Sequence, residues 1–542
     1  MQQNKSAMRQ LKPILFLIPL LALAACERDN WPGQLRLPEG EVYHDMIQLG
    51  EKLDDPYTVQ NMRSALAAAY PTKVDRVDIQ TTDLYVRFLP IDGSQLKTLE
   101  KTGIYLLDHP MDYQIVREGD YYQDPEVDQE SITWQYSLVP RDYSFPKGIR
   151  YEVLDECYLS EHDPVTRALD PGIDWNIVEQ EAYRLTGNED LWIPATKGSE
   201  ALAPSGRITI EDPECNGGKP FGLAGVMVAC NVFVKIATCY TDRDGYYQME
   251  KTFSGTPRYR LVFQNENGFN IGFNFVIIPA SVCTLGKGGP EGIDFNITEE
   301  SDANLFRRSV INNAAYEYYS RCKEADLDIA TPPGDLRIWV FPDVDSSSAS
   351  MLHHGAFPNY SLILSLVQQY LGQYTDAAWF IFRLFAPDIT IGTKKRTTYA
   401  DIYDATVHEL AHASHYVQAG NAFWDPYIRY IMEAFITEGK QAYGTGGRTG
   451  SGYCEVGEMW AYFMEASLYK DRYSVPMPTF GTSFWFRPEI FSYLYERGMT
   501  RGEIYRALKP DVSSTDDLKE ELIAMYPERE TLIEQTFTLY GK

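Results

Sequence analysis

The chain has 542 residues, of which 44% are apolar and 23% are charged, so it is neither a disordered nor a fibrous protein. Its 76 acidic and 49 basic residues give a formal charge of −27. This charge argues against nucleic-acid binding, because phosphates require a basic face, and it disfavours electrostatic attachment to anionic lipid. At roughly 100–200 residues per domain, the length predicts about three domains.

Residues 1–25 have the pattern of an export signal. The basic start consists of Lys5, Arg9 and Lys12. The apolar run 14–25 that follows is too short to cross a bilayer, which takes about 20 helical residues. The run ends in Leu23-Ala24-Ala25-Cys26, which resembles the lipobox of bacterial lipoproteins. The resemblance implies lipid on Cys26 and a location in the bacterial cell envelope, at the outer membrane; an ordinary signal peptide followed by a chance cysteine is the alternative.

The first third of the mature chain carries no recognisable motif. Residues 26–40 are polar and predict a tether. Residues 41–205 predict an α+β region of unknown role, with helices at 58–69 and 94–102 and paired strands within 77–89.

Residues 206–297 predict a β-sandwich, because short β-branched and aromatic runs alternate with turns rich in Gly, Asn and Asp. Two segments, Gly222-Leu223-Ala224-Gly225-Val226 and Thr241-Asp242-Arg243-Asp244-Gly245-Tyr246-Tyr247, resemble the regulatory-like (transthyretin-like) domain of carboxypeptidases. The resemblance implies that the second segment is a hairpin in which Gly245 supplies the positive φ of the turn.

The acidic residues of this turn also suggest a calcium loop. An EF-hand spacing that begins at Asp242 requires further acidic ligands after Asp244 and a Glu at loop position 12. Phe253 occupies that position, so we interpret the two aspartates as turn residues.

Residues 298–542 read as mainly helical, with one strand expected at 336–341. Apolar residues recur at three- and four-residue spacing, as on amphipathic helices. The predicted helices span 304–324, 361–385, 399–419, 427–440 and 453–469. Together with the preceding regions, this predicts a multidomain chain: an α+β N-terminal region, a β-sandwich middle domain, and a mainly α C-terminal domain with a small sheet.

The most informative motif is His408-Glu409-Leu410-Ala411-His412. In a helix, residues i and i+4 lie one turn apart on one face, so both imidazoles can approach one metal ion, and Glu409 is placed to take a proton from water. Thr398 and Asp401 match a capping pattern at the start of this helix, and Gly420 can end it. A surface helix with two inactive histidines is the alternative.

A catalytic zinc usually takes three protein ligands and leaves a fourth position to water. The metzincin pattern, a His six residues after the second His, is missing because Gln418 stands there. His415 lies near the same stripe, but three tetrahedral ligands from one straight helix are improbable. We interpret His415 as a supporting or structural residue.

A carboxylate on the following helix is another candidate for the third zinc ligand. Glu458 is followed three residues later by Ala461, which resembles the G-E-x-x-A signature of gluzincin metallopeptidases. The resemblance implies a zincin-like C-terminal domain in which His408, His412 and Glu458 bind Zn²⁺ and Glu409 is the general base. Glu455, on the same helical face, is the competing third ligand.

A tetrahedral oxyanion would need one further donor besides the metal. Tyr462 and Tyr453 are candidates by position, although simple packing remains the alternative in a chain with 38 tyrosines. The glycine-rich segment 439–452 predicts a loop between the helices that carry the ligands.

The sequence therefore predicts a lipid-anchored, exported zinc metallopeptidase, an endopeptidase acting on a protein or peptide substrate, with no nucleic-acid partner. Two alternatives stay open. One is a surface lipoprotein that binds a glycan or protein ligand and carries a degenerate zincin domain. The other keeps the zinc but replaces the peptide with another amide, such as a cell-wall cross-link.

Overall fold

The computed structural model describes residues 46–73, 77–119, 121–127, 131–192, 202–273, 280–342, 345–355, 387–438, 443–480 and 484–542. The predicted signal peptide, Cys26, the tether 26–40 and the helix expected at 361–385 lie outside these residues. Within the described part of the chain, no helix combines the length and the apolar character needed to cross a bilayer.

The described chain is a mixed α/β protein whose last third is mainly helical. Its helices are α1 (Val59–Ala69), α2 (Gly93–Glu100), α3 (Pro164–Leu169), α4 (Trp175–Leu185), α5 (Ala303–Arg321), α6 (Tyr399–Thr437), α7 (Ser451–Tyr473), α8 (Glu489–Glu496), α9 (Arg501–Arg506), α10 (Thr515–Met525) and α11 (Glu530–Leu539). Its strands are β1 (Gln48–Lys52), β2 (Asp83–Leu89), β3 (Tyr113–Arg117), β4 (Gln135–Pro140), β5 (Arg150–Cys157), β6 (Ser205–Ile210), β7 (Phe221–Gly222), β8 (Val226–Val232), β9 (Lys235–Tyr240), β10 (Tyr246–Gln248), β11 (Arg258–Asn265), β12 (Asn270–Phe273), β13 (Val282–Lys287), β14 (Phe295–Ile297), β15 (Arg337–Phe341), β16 (Ser348–Ala349) and β17 (Ile389–Gly392).

The N-terminal region combines two small sheets with helices, as its pattern predicted. β1 pairs with β3, and β2 lies between β4 and β5. The expected paired strands within 77–89 were wrong: only β2 forms there, and its partners come from later in the chain. Val77 and Ile79 instead bury their side chains beneath α1 and α4, so their alternation reflects packing under helices and not strand pairing.

One sheet crosses the boundary expected at 297/298. Its strand order is β16-β17-β15-β12-β11-β8-β9, with β13 also paired to β11. β12 from the middle region runs parallel to β15 from the C-terminal region, with Asn270 opposite Arg337 and Phe273 opposite Val340. The two regions share this sheet because pairing across the boundary satisfies backbone groups that an edge strand would expose.

The segment 241–247 forms a turn whose backbone is held by the side chain of Asp242. A side-chain oxygen of Asp242 accepts hydrogen bonds from the backbone N–H groups of Asp244 and Tyr246, both at 2.9 Å. Gly245 has φ 84°, which favours glycine. The expected hairpin is not formed, because β9 lies in the large sheet whereas β10 pairs with β6 in another.

The helix that carries the His408–His412 motif begins where the sequence predicted, but it is interrupted at Gly420 and continues to Thr437 instead of ending there. The Thr398 hydroxyl accepts a hydrogen bond from the backbone N–H of Asp401, which caps α6. Gly420, with φ 61° and ψ −168°, interrupts α6 and separates the motif from the second helical half. α7 packs along α6, and the Trp460 indole donates a hydrogen bond to the Ala411 carbonyl at 3.1 Å.

Candidate metal centre

Three side chains from two packed helices converge in the helical region. His408 and His412 lie one turn apart on α6, and Glu458 lies on α7. His408 Nε2 is 3.5 Å from Glu458 Oε2, and His412 Nε2 is 3.6 Å from Glu458 Oε1. One ligand atom from each residue lies within 4.8 Å of the other two, and all three residues are buried. This is the only such group of His, Cys, Asp and Glu among the described residues.

The geometry and chemistry of this cluster fit a divalent metal ion. Two ligand atoms about 2.1 Å from one tetrahedral ion are about 3.4 Å apart, close to both measured separations. His412 is fully buried, yet neither of its ring nitrogens has a hydrogen-bond partner among the described residues. Because buried polar atoms are nearly always satisfied, an imidazole in this position is best explained by a ligand that completes it.

Two further side chains, which the sequence analysis missed, hold the ligands in place. A carboxylate oxygen of Glu465 lies 2.8 Å from His408 Nδ1, so Nδ1 donates to it and Nε2 faces Glu458. The Tyr427 hydroxyl donates to Glu458 Oε1 at 2.5 Å. Partners of this kind orient metal ligands and fix the tautomer of a ligating histidine.

Local sequence explains how both supporting residues reach the cluster. Glu465 follows Glu458 by seven residues, which is two helical turns, so both lie on one face of α7. Tyr427 comes from the half of α6 beyond Gly420. Gly457 leaves room for its ring, since a Cβ there would lie 3.1 Å from Tyr427. The spacing of Glu465 was readable in the sequence, whereas nothing distinguished Tyr427 from the other tyrosines.

The electrostatics favour the protonation states that metal binding requires. Burial lowers the pKa of His412 below its usual value, which favours the neutral, ligating imidazole. Burial alone would raise the pKa of Glu458, but its interactions with His412 and His408 outweigh this and lower it to about 2. Glu458 is therefore an anion at neutral pH, as a metal ligand must be.

The competing third ligand, Glu455, lies elsewhere. It contacts the ammonium group of Lys542, and its second oxygen accepts a hydrogen bond from the Thr515 hydroxyl at 3.2 Å. The structure thus uses Glu455 to tie α7 to the end of the chain and to α10, and the metal cluster does not include it.

The two candidate tyrosines differ in their distance from the cluster. The ring of Tyr462 lies 4.6 Å from that of His408, and its hydroxyl lies 2.7 Å from the Tyr443 hydroxyl. Tyr453 packs its ring against Phe423 at 5.2 Å. Tyr462 therefore borders the ligands, whereas the Tyr453 contact is one of packing.

His415 and Glu409 complete the motif helix. His415 is fully buried against Phe423 and Trp424, with ring centroids 4.4 and 5.5 Å away, and burial lowers its pKa to about 3. It is not part of the His-His-Glu cluster. Glu409 directly follows His408 on α6 and is also fully buried.

The fold and site define a class: a mixed α/β protein with a buried His-His-Glu cluster able to hold a divalent metal. Comparison with protein-family models, with curated proteins and with solved structures finds no match. What this chain does must therefore be argued from its own residues.

Proposed function

We propose that the protein is a zinc-dependent hydrolase of peptide bonds of the gluzincin type, with His408, His412 and Glu458 as the metal ligands and Glu409 as the general base. The convergence of His408, His412 and Glu458 is the observation that carries the proposal, and Glu409 is next to His408 in the chain. A purely structural zinc site is usually closed by four protein ligands. Three protein ligands with a neighbouring carboxylate are the arrangement of a hydrolytic site.

Each residue has a definite task in this proposal. Zinc, when bound, polarises the substrate carbonyl and lowers the pKa of water to about 7. A carboxylate oxygen of Glu409 takes the proton from the attacking water and passes it to the leaving amine nitrogen. Glu465 holds the His408 ring through Nδ1, and Tyr427 holds Oε1 of Glu458, so that neither ligand turns away during the reaction.

The surroundings of α6 support a zincin-like C-terminal region. β15 and β17 run parallel, and the short strand β16 is antiparallel to β17 at the end of the sheet. The indole of Trp424, from the second half of α6, donates to the carbonyl of Ala349 in β16 at 3.2 Å.

The remaining parts of the proposal rest on sequence. We assign the middle region to the carboxypeptidase regulatory-like type on the motifs around Gly225 and Gly245. The N-terminal pattern that ends at Cys26 supports export and a lipid anchor in a bacterial envelope. The protein or peptide substrate is proposed from the resemblance of the motifs to those of gluzincin metallopeptidases.

Metal analysis and casein digestion test the function together. The chain from residue 27 onwards is compared with its Glu409→Gln variant, which keeps the size and shape of the side chain but removes the base. We expect one zinc per chain in both proteins and a loss of about 10²–10⁴-fold in cleavage rate in the variant. Equal cleavage by both would remove Glu409 from the mechanism.

Two other outcomes separate the alternatives. Zinc in both proteins without cleavage of casein, but with Glu409-dependent release of peptide from cell-wall material, would replace the protein substrate by a cell-wall amide. Absence of zinc from the wild type would contradict the hydrolase and favour the binding lipoprotein.

A further inference from the structure

A second polar site lies between the N-terminal region and the large sheet, in a cavity of about 320 Å³. Its residues are separate from those of the His-His-Glu cluster. One side of it is formed by loop residues such as Met111 and Leu191, and the other by β8, β11 and β13. Phe233, in the turn after β8, adds an aromatic wall. A cavity of this size, lined by both polar and apolar side chains, has the volume of a small-molecule site.

Positive charge is concentrated in this cavity although the whole chain is strongly acidic. Arg258, Arg260 and Lys287 line it, and Asp190 is the one acidic residue among its described lining. Against a formal charge of −27 for the chain, this local excess of positive charge is unusual. A concave site lined by charges of one sign raises the local concentration of ions of the opposite sign.

The strand register places two of these cations directly opposite each other. Arg258 on β11 stands directly opposite Lys287 on β13, and like charges in this position destabilise a sheet. Arg258 and Arg260 are two residues apart on β11 and therefore point to the same face. Burial lowers the pKa of Arg258 to about 10, with Arg260 adding to the effect.

Arg260 is the most confined of these cations. Its side chain is buried, and its two terminal nitrogens lie 2.6 Å from Asn231 Oδ1 and 3.4 Å from His109 Nε2. His109 in turn contacts Asp108 through Nδ1 at 2.7 Å. Among the described residues, no carboxylate oxygen lies within 4.0 Å of this guanidinium. A buried cation whose direct partners are neutral gains stability from an anion brought to it.

Arg258 differs because it already has a carboxylate partner. Glu118, whose side chain is 44% exposed, contacts the Arg258 guanidinium. Glu118 therefore competes with any anion that enters the cavity, and Arg260 and Lys287 remain to receive it.

We propose that this cavity binds a small organic anion whose carboxylate or phosphate oxygens face Arg260 and Lys287 and whose apolar part lies against Phe233 and Met111. Both kinds of anion share the oxygen geometry that a guanidinium recognises through paired hydrogen bonds. The site is distinct from the His-His-Glu cluster and does not depend on the proposed hydrolase activity.

Anion-dependent thermal unfolding of the complete chain tests the proposal, with phosphate and succinate as probes and sodium chloride at equal ionic strength as the reference. The central variant is Lys287→Gln, because Lys287 is exposed and its loss leaves the core intact. Lys219→Gln is the matched control, since Lys219 is also exposed and lies outside the cavity. Glu118→Gln removes the competing carboxylate.

We expect a saturable rise of the melting temperature with one or both probes in the wild type. The apparent Kd should weaken by about fivefold in Lys287→Gln and tighten by a similar factor in Glu118→Gln, the effect of one partly screened charge. It should be unchanged in Lys219→Gln. A response to only one probe identifies the anion class. Stabilisation that is equal in all four proteins, or no greater than with chloride, would overturn the proposal.

Discussion

Two clusters of three titratable side chains in this molecule differ in how far their members satisfy one another. In the first, Lys235 is 3% exposed, and its ammonium lies 3.2 Å from Glu161 and 3.5 Å from Glu179. Burial alone would lower the pKa of Lys235, but the two carboxylates outweigh it and raise the pKa. These two ion pairs give the buried lysine its counter-charges and join the N-terminal region to β9.

The three residues of the His-His-Glu cluster are all buried, but they do not satisfy one another. The ring nitrogens of His412 have no hydrogen-bond partner among the described residues, and the three ligand atoms surround a common point. Buried charge by itself is therefore a poor sign of a functional site, since it can serve to join two parts of a fold. A better sign is a group of buried ligand atoms that converge but lack hydrogen-bond partners within the protein.

The largest effect is expected from the loss of a ligand in the His-His-Glu cluster. The His412→Leu substitution removes one of three ligands, so we expect bound zinc to fall from one per chain to none and peptide cleavage to cease. Zinc is measured on the purified protein after dialysis, with circular dichroism to verify the fold. Stoichiometric zinc in a folded variant would contradict the role assigned to His412.

The matching change in the cluster of Lys235, Glu161 and Glu179 should lower stability without changing zinc binding. The Lys235→Met substitution leaves Glu161 and Glu179 without their cation, and we expect it to lower the free energy of unfolding by about 3–5 kcal/mol. Urea unfolding measures this loss, and zinc content should stay at one per chain. A variant that kept its stability but lost zinc would reverse the distinction between the two clusters.

Supporting residues should produce a smaller effect at the metal site. The Glu465→Gln and Tyr427→Phe substitutions each weaken the hold on one ligand, so we expect zinc affinity to fall by about 10–100-fold. Competition with a chromophoric chelator gives the affinity. Unchanged affinity in both variants would show that the ligands are held by packing alone.

The smallest effect is expected at His415, three residues from His412 on the same helix. Its ring nitrogens also lack hydrogen-bond partners among the described residues, but it packs against aromatic rings outside the metal cluster. The His415→Leu substitution should leave zinc content unchanged and raise the free energy of unfolding by about 1 kcal/mol, because it removes a buried polar group. Loss of zinc in this variant would show that His415 takes part in metal binding although it lies outside the His-His-Glu cluster.

Local signals in the sequence were sufficient for the helix that carries the motif. The Thr398 cap and the break at Gly420 depend on residues adjacent in the chain, and both are present in the structure. The spacing of His408 and His412 places both on one face for the same reason. Glu458 could be predicted as a ligand because the motif around it resembles that of a known class of peptidases.

Long-range features could not be predicted from the sequence, because they depend on which distant segments contact each other. The pairing of β12 with β15 joins residues more than sixty positions apart, and hydrophobic patterning does not specify such a partner. Tyr427 reaches Glu458 only because Gly420 redirects α6 and Gly457 leaves room for its ring. The paired strands predicted within 77–89 failed because alternation also arises where a segment packs under helices.

The most direct test of the metal centre is zinc-edge X-ray absorption on the purified protein loaded with one equivalent of zinc. The account predicts two imidazole nitrogens at about 2.0–2.1 Å and carboxylate oxygen at about 2.0–2.2 Å in the first coordination shell. A shell of sulfur ligands, a shell with no imidazole, or failure of the protein to retain the ion would contradict it.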